Sequence, residues 1–269
     1  IAREAAGSGL KVALFEKNDF GSMTSSACFK TVHGGLRYLQ HLDFARLRES
    51  VREQRTLRKI APHLVKPLPF LVPCYGYGMR GKETLTIALK LYEICSSDRN
   101  QGVEDSHILP NSQFKSIELC KKLAPYLQDS GLRGGMLYYD AMITHCERMT
   151  LAFIKDASNR GVDVCNYISV DKFIINDDTN KLEKLSCTNR ENGKKIEIKT
   201  KFVVNASGHD AEKNIYSLLK KEIPASLQNE IKFSKGVQAV SVKLSNAVSL
   251  ALESHQQDPS AVLKRGGRS

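Results

Sequence analysis

Val12-Ala13-Leu14-Phe15-Glu16, a short apolar run that stops on an acid, decides the fold. The run has the composition of a strand. Upstream, Ile1-Ala2-Arg3-Glu4-Ala5-Ala6 is good helix sequence, and Gly7 and Gly9 are natural helix stops. A helix followed at once by a strand is the second half of a βαβ unit. The first strand and its Gly-rich turn are then expected just before Ile1, so the chain reads as a fragment with no initiator methionine. In a dinucleotide fingerprint an acid falls about 20 residues after the glycines and bonds the ribose hydroxyls. Glu16 suits that spacing if the last such glycine adjoins Ile1. The rival reading is a solvated acid at a strand end.

Two further stretches extend the pattern. Gly21-Ser22-Met23-Thr24-Ser25-Ser26 is a small, polar loop suited to crossing a pyrophosphate. His33-Gly34-Gly35-Leu36-Arg37-Tyr38-Leu39 follows, and its paired glycines allow backbone to approach a flat ring.

The 269 residues suffice for a large core in one or two domains. Hydrophobic content of 41% and charged content of 26% are those of a soluble globular protein. No apolar run reaches the roughly 20 residues that span a bilayer. The net charge of +11 suits an anionic metabolite or an anionic membrane surface. Trp is absent, and no basic run is interleaved with aromatics, so nucleic acid is not expected as a partner. The densest basic stretch, residues 46–59, reads as a solvated helix face capped by Asp43, with Phe44, Leu47 and Val51 as its apolar stripe. Seven scattered cysteines show no metal-ligand spacing, and no metal is expected. They suit a reducing compartment as small buried hydrophobes. Cys28 stands apart because it lies in the candidate cofactor loop.

Along the chain, residues 67–73 (Pro67-Leu68-Pro69-Phe70-Leu71-Val72-Pro73) read as an edge strand. Residues 83–94 read as a helix, 98–111 as a loop and 112–123 as containing a short helix. Residues 134–140 read as a strand entering a turn. Residues 146–159 form an amphipathic helix with Met149, Ala152, Phe153 and Ala157 on one face, closed by Gly161. A strand over 162–170 leads into a meander with strands at 172–175, 181–188 and 194–204. Asn205-Ala206-Ser207-Gly208 follows directly, at a strand end where open α/β sheets hold ligands. Residues 213–221 read as a helix, 236–244 as a strand and the stretch to about 255 as helical. Residues 264–269 carry no stop signal and read as a second truncation.

These residues resemble the FAD-dependent glycerol-3-phosphate dehydrogenases of the D-amino-acid-oxidase-like flavoprotein superfamily. The resemblance is carried by residues 12–17, Thr24-Ser25-Ser26, Lys30 and residues 33–39. It continues through Ala61-Pro62-His63-Leu64-Val65, Pro69-Phe70, Tyr138-Tyr139-Asp140-Ala141, Asn166-Tyr167, Val203-Val204-Asn205-Ala206 and Ser234-Lys235-Gly236-Val237. The motifs span nearly the whole chain in order. The resemblance implies an α/β fold: a three-layer, Rossmann-like FAD-binding domain with a β-meander and an interleaved α+β substrate domain. Residues 1–66 and 136–220 are expected to form the FAD-binding domain, and 67–135 and 221–269 the substrate domain.

By the same resemblance, Glu16 holds the adenosine ribose, and Thr24, Ser25 and Ser26 line the pyrophosphate and ribityl region. Lys30, Val32, His33, Gly34, Gly35 and Leu36 run beside the isoalloxazine. Val170 meets the adenine end through its backbone, and Ala206, Ser207 and Gly208 close over the cofactor. Arg37 reaches a substrate phosphate, since a planar fork of donors suits a phosphate. His33 is the candidate base, with a structural histidine as its rival. Arg37 has a surface ion-pair residue as its rival, and Ser25 and Ser26 have helix caps. Tyr139 and Asp140 read as packing and turn residues.

The implied activity is oxidation of sn-glycerol 3-phosphate to dihydroxyacetone phosphate. Hydride passes to flavin N5, and electrons pass on to a quinone or other acceptor. The implied location is cytoplasmic, with peripheral association at the inner (cytoplasmic or mitochondrial) membrane. The chain departs from the family pattern at Cys28-Phe29, at Gly208-His209-Asp210 in place of Gly-Pro-Trp, and at Gln238 in place of a histidine. These departures keep two rivals open: another small hydroxy acid or amine as substrate, and flavin binding without turnover.

Overall fold

The computed structural model describes residues 1–78, 81–219 and 248–250. In chain order the elements are α1 (Ala2–Gly7), β1 (Ala13–Phe15), β2 (Thr31–Val32), α2 (Phe44–Ile60), β3 (Val65–Tyr75), α3 (Lys82–Cys95), β4 (Gln113–Lys115) and α4 (Ile117–Leu123). After them come β5 (Leu132–Ile143), α5 (Cys146–Asn159), β6 (Asp163–Cys165), β7 (Ile168–Asn176), β8 (Lys181–Asn189), β9 (Lys195–Lys199), α6 (Ala211–Leu218) and β10 (Ser249–Leu250). The strand at 236–244 and Gln238 lie outside the described residues, and of the stretch expected to be helical to about 255 only 248–250 are described, where Ser249–Leu250 is the strand β10 and not helix. The described residues form two compact units: residues 1–28 with 146–219, and residues 29–145 with 248–250.

In the first unit β1 and β6 pair in parallel, Ala13 opposite Asp163 and Phe15 opposite Cys165. The Asp163 N–H donates to the Val12 carbonyl (3.0 Å) and the Glu16 N–H to that of Cys165 (3.0 Å), so the ladder runs one residue past each end of β1. Parallel neighbours need a crossover. Here α5 supplies it, packed on β6, with α1 against α5. Residues 29–145 of the second unit are inserted in sequence between β1 and α5, and 248–250 follow α6.

On α5, Met149 and Ala157 are buried, whereas Phe153 is 41% exposed and Ala152 is also exposed. The expected four-residue face is therefore corrected to a narrower one. The expected strand over 162–170 is split, because Tyr167 adopts a φ of +55° between β6 and β7. The meander β7-β8-β9 is antiparallel. Its first turn is fixed by the Asn176 side chain, which accepts from the Thr179 N–H and hydroxyl, both at 2.9 Å. Gly193 turns the second at a φ of +71°.

The last meander strand ends at Lys199, not Val204. Residues 202–207 have no regular structure, and Phe202 is 79% exposed. An apolar run becomes a strand only where a neighbour takes its backbone groups. No described strand pairs with this run. Instead, the Thr200 hydroxyl donates to the Phe202 carbonyl (2.9 Å) and accepts from its N–H (3.3 Å), which folds the chain locally.

In the second unit the sheet runs β10-β3-β5-β2, with β4 also on β5. Strands β3 and β5 pair along their whole length, and the Phe70 and Tyr138 rings stack at 5.4 Å. The expectation of an edge strand at 67–73 is corrected, since β10 pairs with Phe70 and Leu71 on the other side of β3. Pro67, Pro69 and Pro73 all hold odd positions. Alternate residues share a side of the ladder, so one side loses its donors and the other stays whole.

Helix α2 is capped as expected, with the Asp43 carboxylate accepting from the Arg46 N–H (3.1 Å). Leu47 and Val51 are fully buried, while Phe44 is 44% exposed and drops out of the stripe. The reading of 46–59 as a solvated basic face is corrected in part: Arg46, Arg52 and Lys59 are exposed, but Arg48, Arg55 and Arg58 are not. Arg48 and Arg55 pair with Asp98, and Arg48 foremost holds that carboxyl at about 2. Arg58 is buried and donates to Asn100 Oδ1 and the His107 carbonyl, both at 3.0 Å. Burial pulls its guanidinium down to about 10. Arg48, Arg55 and Arg58 are thus spent on holding the loop between α3 and β4.

Candidate functional site

The first unit gathers three of the expected cofactor segments around one core. Phe15, Val170 and Val203 pack on the same buried cluster of Ile168, Leu185 and Cys187. The Ile168 N–H donates to the Glu16 carbonyl at 2.9 Å, so β7 starts beside the strand-end acid. Glu16 Oε1 accepts from the Asn18 N–H (2.8 Å), which folds the acid over its own turn. Arg190 braces that turn by donating to the Lys17 carbonyl (3.0 Å) and Asn18 Oδ1 (2.6 Å).

At Val170 the β7–β8 register shifts, because Asp171 is an extra residue before Lys172 pairs with Ser186. A bulge takes backbone groups off the ladder. Ahead of α6, Asn205 organises the small-residue loop. Its Oδ1 accepts from the Ser207 hydroxyl (2.6 Å) and N–H (3.2 Å), and its Nδ2 donates to the Ala211 carbonyl (2.7 Å). Gly208 has a φ of +70°. Ala206, Ser207 and Gly208 are exposed.

The polar loop also belongs to this unit. Thr24 and Ser25 are exposed and Ser26 is half-buried. The Ser26 hydroxyl donates to the Met23 carbonyl (3.1 Å) within a single tight turn. Met23 lies at a φ of +59°, a conformation that costs a non-glycine residue about 1 kcal/mol. Such strain persists where the surroundings impose it, often at ligand sites.

The other expected residues lie in the second unit, along β5. Strand β2 pairs antiparallel with β5, Thr31 opposite Met142 and Val32 opposite Ala141. Continued one step, that register puts His33 opposite Asp140. Asp140 is 3% exposed and lies within β5, not at a turn. Its Oδ2 meets His33 Nδ1 at 2.9 Å. Its Oδ1 accepts from the Gly34 N–H (2.8 Å) and from Gln54 Nε2 (2.7 Å). Gln54 Nε2 also donates to the Val32 carbonyl (2.7 Å), and Gln54 Oε1 is buried without a partner among the described residues.

The His33 side chain is 68% exposed, so the buried acid grips one ring nitrogen while the imidazole faces outward. The hydrogen bond to Asp140 raises the His33 pKa above the ordinary 6.5. When the ring is neutral, its proton sits on Nδ1 facing the carboxylate, and Nε2 is the acceptor. This arrangement can orient and tune a base.

The paired glycines have a demand of their own. A Cβ on Gly34 would fall on the Tyr92 hydroxyl and 3.3 Å from the Gln54 amide. Gly35 has a φ of +87°, and a Cβ there would meet Ser50 Cβ at 3.0 Å. Packing against α2 and α3 therefore requires both glycines. Leu36 joins the buried clusters around Tyr92 and Leu89. Lys30 has a φ of +60°, and its carbonyl accepts from the Ile143 N–H (2.8 Å). Arg37 is exposed and has no hydrogen bond or ion pair among the described residues.

Sequence reasoning took Asp140 for a packing or turn residue and did not single out Gln54. The signal was present in one case, because Asp140 is the lone acid of its strand and the lone charge between Gly134 and Ile143. A buried carboxylate is costly unless it is paired.

The donor set fits a dinucleotide. It offers a carboxylate at the C-terminal end of a parallel strand, exposed hydroxyls in a tight loop, and backbone freed by a bulge. Comparison with known proteins agrees. The family model DAO, FAD dependent oxidoreductase, matches residues 1–264. A glycerol-3-phosphate dehydrogenase of Synechocystis sp. is 34% identical over 209 residues, covering 77% of this chain and 36% of that protein. An alpha-glycerophosphate oxidase of Streptococcus pyogenes is 32% identical over 210 residues, covering 77% of this chain and 33% of that protein. The chain spans about a third of the length of these relatives. The solved glycerol-3-phosphate dehydrogenase of Bacillus halodurans complexed with FAD shares the fold, with a TM-score of 0.55 and 24% identity over 80% of this chain and 32% of its own. The chain belongs to the FAD dependent oxidoreductase family, and its cofactor is FAD.

Proposed function

We propose that this chain serves the oxidation of sn-glycerol 3-phosphate to dihydroxyacetone phosphate, with electrons passed on to a quinone or other acceptor. The observation that carries the reading is the His33–Asp140 pair with the exposed Arg37 guanidinium four residues on, unpaired among the described residues. The named relatives supply the substrate class.

In this reading Glu16, Thr24, Ser25, Ser26, Val170, Ala206, Ser207 and Gly208 hold the dinucleotide end, and Lys30, Val32, Gly34, Gly35 and Leu36 border the ring. FAD, when bound, supplies the two-electron acceptor for the carbinol carbon. His33 Nε2 takes the hydroxyl proton, Asp140 holds the ring in place, and Arg37 binds the phosphate by a two-pronged contact. The division by role into residues 1–66 with 136–220 and 67–135 with 221–269 belongs to the same proposal. So does a cytoplasmic setting with peripheral contact at the inner membrane. Among the described residues no helix is long and apolar enough to cross a membrane.

The deciding experiment is anaerobic. FAD-loaded protein given sn-glycerol 3-phosphate should lose its flavin absorbance, while the enantiomer should leave it unchanged. Colour that persists with the correct enantiomer rejects the reading. Reoxidation by a quinone analogue, compared with oxygen, identifies the acceptor.

Two outcomes follow at single residues. Arg37→Ala should raise KM about tenfold to a hundredfold with a smaller change in kcat, since a charge-assisted contact is worth roughly 1.5–3 kcal/mol. Steady-state kinetics with the phosphate ester test this, and an unchanged KM would remove Arg37 from the substrate site.

The second concerns pH. A base must be neutral, so kcat/KM should rise with pH through a value above 6.5, the ordinary imidazole figure. Stability has the opposite sense. A raised folded-state pKa means that the His33–Asp140 pair contributes fully below about 6.5 and loses that contribution as pH rises through the raised value. A kinetic limb at or below 6.5, or one that survives His33→Gln, would count against His33.

A further inference from the structure

Cys28 and Cys146 are 118 positions apart in sequence, yet their sulfurs lie 3.5 Å apart within the first unit. Cys28 closes the polar loop, where its thiol also donates to the Ser25 carbonyl (3.8 Å). Cys146 is the first residue of α5 and is 7% exposed. The loop already rests on that helix. A Cβ on Gly21 would touch Thr150 Cβ at 3.6 Å and Glu147 Cα at 3.7 Å. A disulfide has an S–S length of about 2.05 Å, so the sulfurs need to close by only about 1.5 Å. Side-chain rotation and a small shift of a surface loop can supply that. The remaining described cysteines are placed differently. Cys74, Cys120 and Cys187 are buried, and burial pushes the Cys187 thiol up to about 11. Cys165 is exposed at the end of β6, and Cys95 is half-buried at the end of α3 in the second unit.

We propose that Cys28 and Cys146 form a reversible oxidation site, closed by a hydroperoxide into a disulfide that ties the polar loop to the start of α5. Access sets the order of events. The half-exposed Cys28 thiolate attacks hydrogen peroxide, takes one oxygen as the sulfenic acid and releases hydroxide. The Cys146 thiolate then attacks the Cys28 sulfur and forms the S–S bond. The sulfenic oxygen leaves as hydroxide and is protonated to water. Overall, two thiols and one peroxide give one disulfide and two waters. A dithiol reductant reverses the bond by exchange. The proposal stands on the sulfur geometry alone and does not depend on which substrate the flavin oxidises.

The test uses the full protein carrying Cys165→Ser, which removes the exposed thiol. After brief treatment with hydrogen peroxide, a non-reducing digest should contain one peptide pair joined through Cys28 and Cys146. The intact mass should fall by two hydrogens, and dithiothreitol should restore it. Adding Cys28→Ser should abolish the linked pair and leave Cys146 alkylatable once the protein is unfolded. This readout survives even if Cys146→Ser does not fold. Recovery of Cys28 as the sulfinic acid, or joined to any cysteine other than Cys146, overturns the proposal.

Discussion

Asp140→Ala is expected to lower the stability of the second unit by about 3–5 kcal/mol. The carboxylate is buried and serves three donors: His33 Nδ1, the Gly34 N–H and Gln54 Nε2. Its loss strands the Gly34 N–H without an acceptor and leaves the Gln54 amide, whose Oε1 is already unpartnered, with only the Val32 carbonyl. A domain of this size loses roughly 2–4 °C per kcal/mol, so thermal melting should fall by about 10 °C.

Asp140→Asn separates stability from chemistry. The amide oxygen can still accept from Gly34 and Gln54, so the melting temperature should move by only a few degrees. The amide nitrogen now faces His33 Nδ1 and is a donor, which favours the tautomer with the proton on Nε2. A base in the wrong tautomer cannot accept the substrate proton, and kcat should drop by about a hundredfold or more. Melting curves and kcat on the same preparations decide the matter. Full activity in Asp140→Asn would mean that the acid is structural only.

Gly134→Ala should cost about 3 kcal/mol or more without touching any expected site residue. Gly134 has a φ of +123°, which residues with a Cβ rarely adopt. A Cβ there would fall on the Phe114 ring and 2.5 Å from the Lys115 carbonyl oxygen. Lys115 pairs with Gly135 where β4 joins β5, so the clash is with backbone and relief requires β4 to move. Strand β4 leads directly into α4, whose Cys120 joins the cluster around Leu71, Ala124 and Leu127. The penalty should therefore spread to α4 and appear as faster proteolysis near residues 113–123 together with a lower melting temperature. Gly135→Ala next door meets side chains first, Leu71 Cδ1 at 2.8 Å and Cys120 Sγ at 2.9 Å, with backbone only at 3.2 Å (the Val72 carbonyl oxygen), and should cost less because side chains can repack. Equal melting of Gly134→Ala and the parent would refute the backbone clash.

The sequence by itself determined whatever is settled within a few residues. Helix α5 starts and stops where its periodicity and Gly161 place it. Asp43 caps α2 through a neighbour three residues away. The meander turns follow Asn176 and Gly193, and the β1 strand ends at its acid. Local hydrogen bonds and backbone preference decide these features, and both are written in adjacent letters. Tertiary structure alone decided the rest. Asp140 and His33 are 107 positions apart, and only the β2–β5 register makes them neighbours. Gly34 and Gly35 are required by side chains of α2 and α3, a pressure that no local pattern reveals. The apolar run 202–204 lies in irregular structure because a strand exists only with a partner, and partnership is a property of the folded chain.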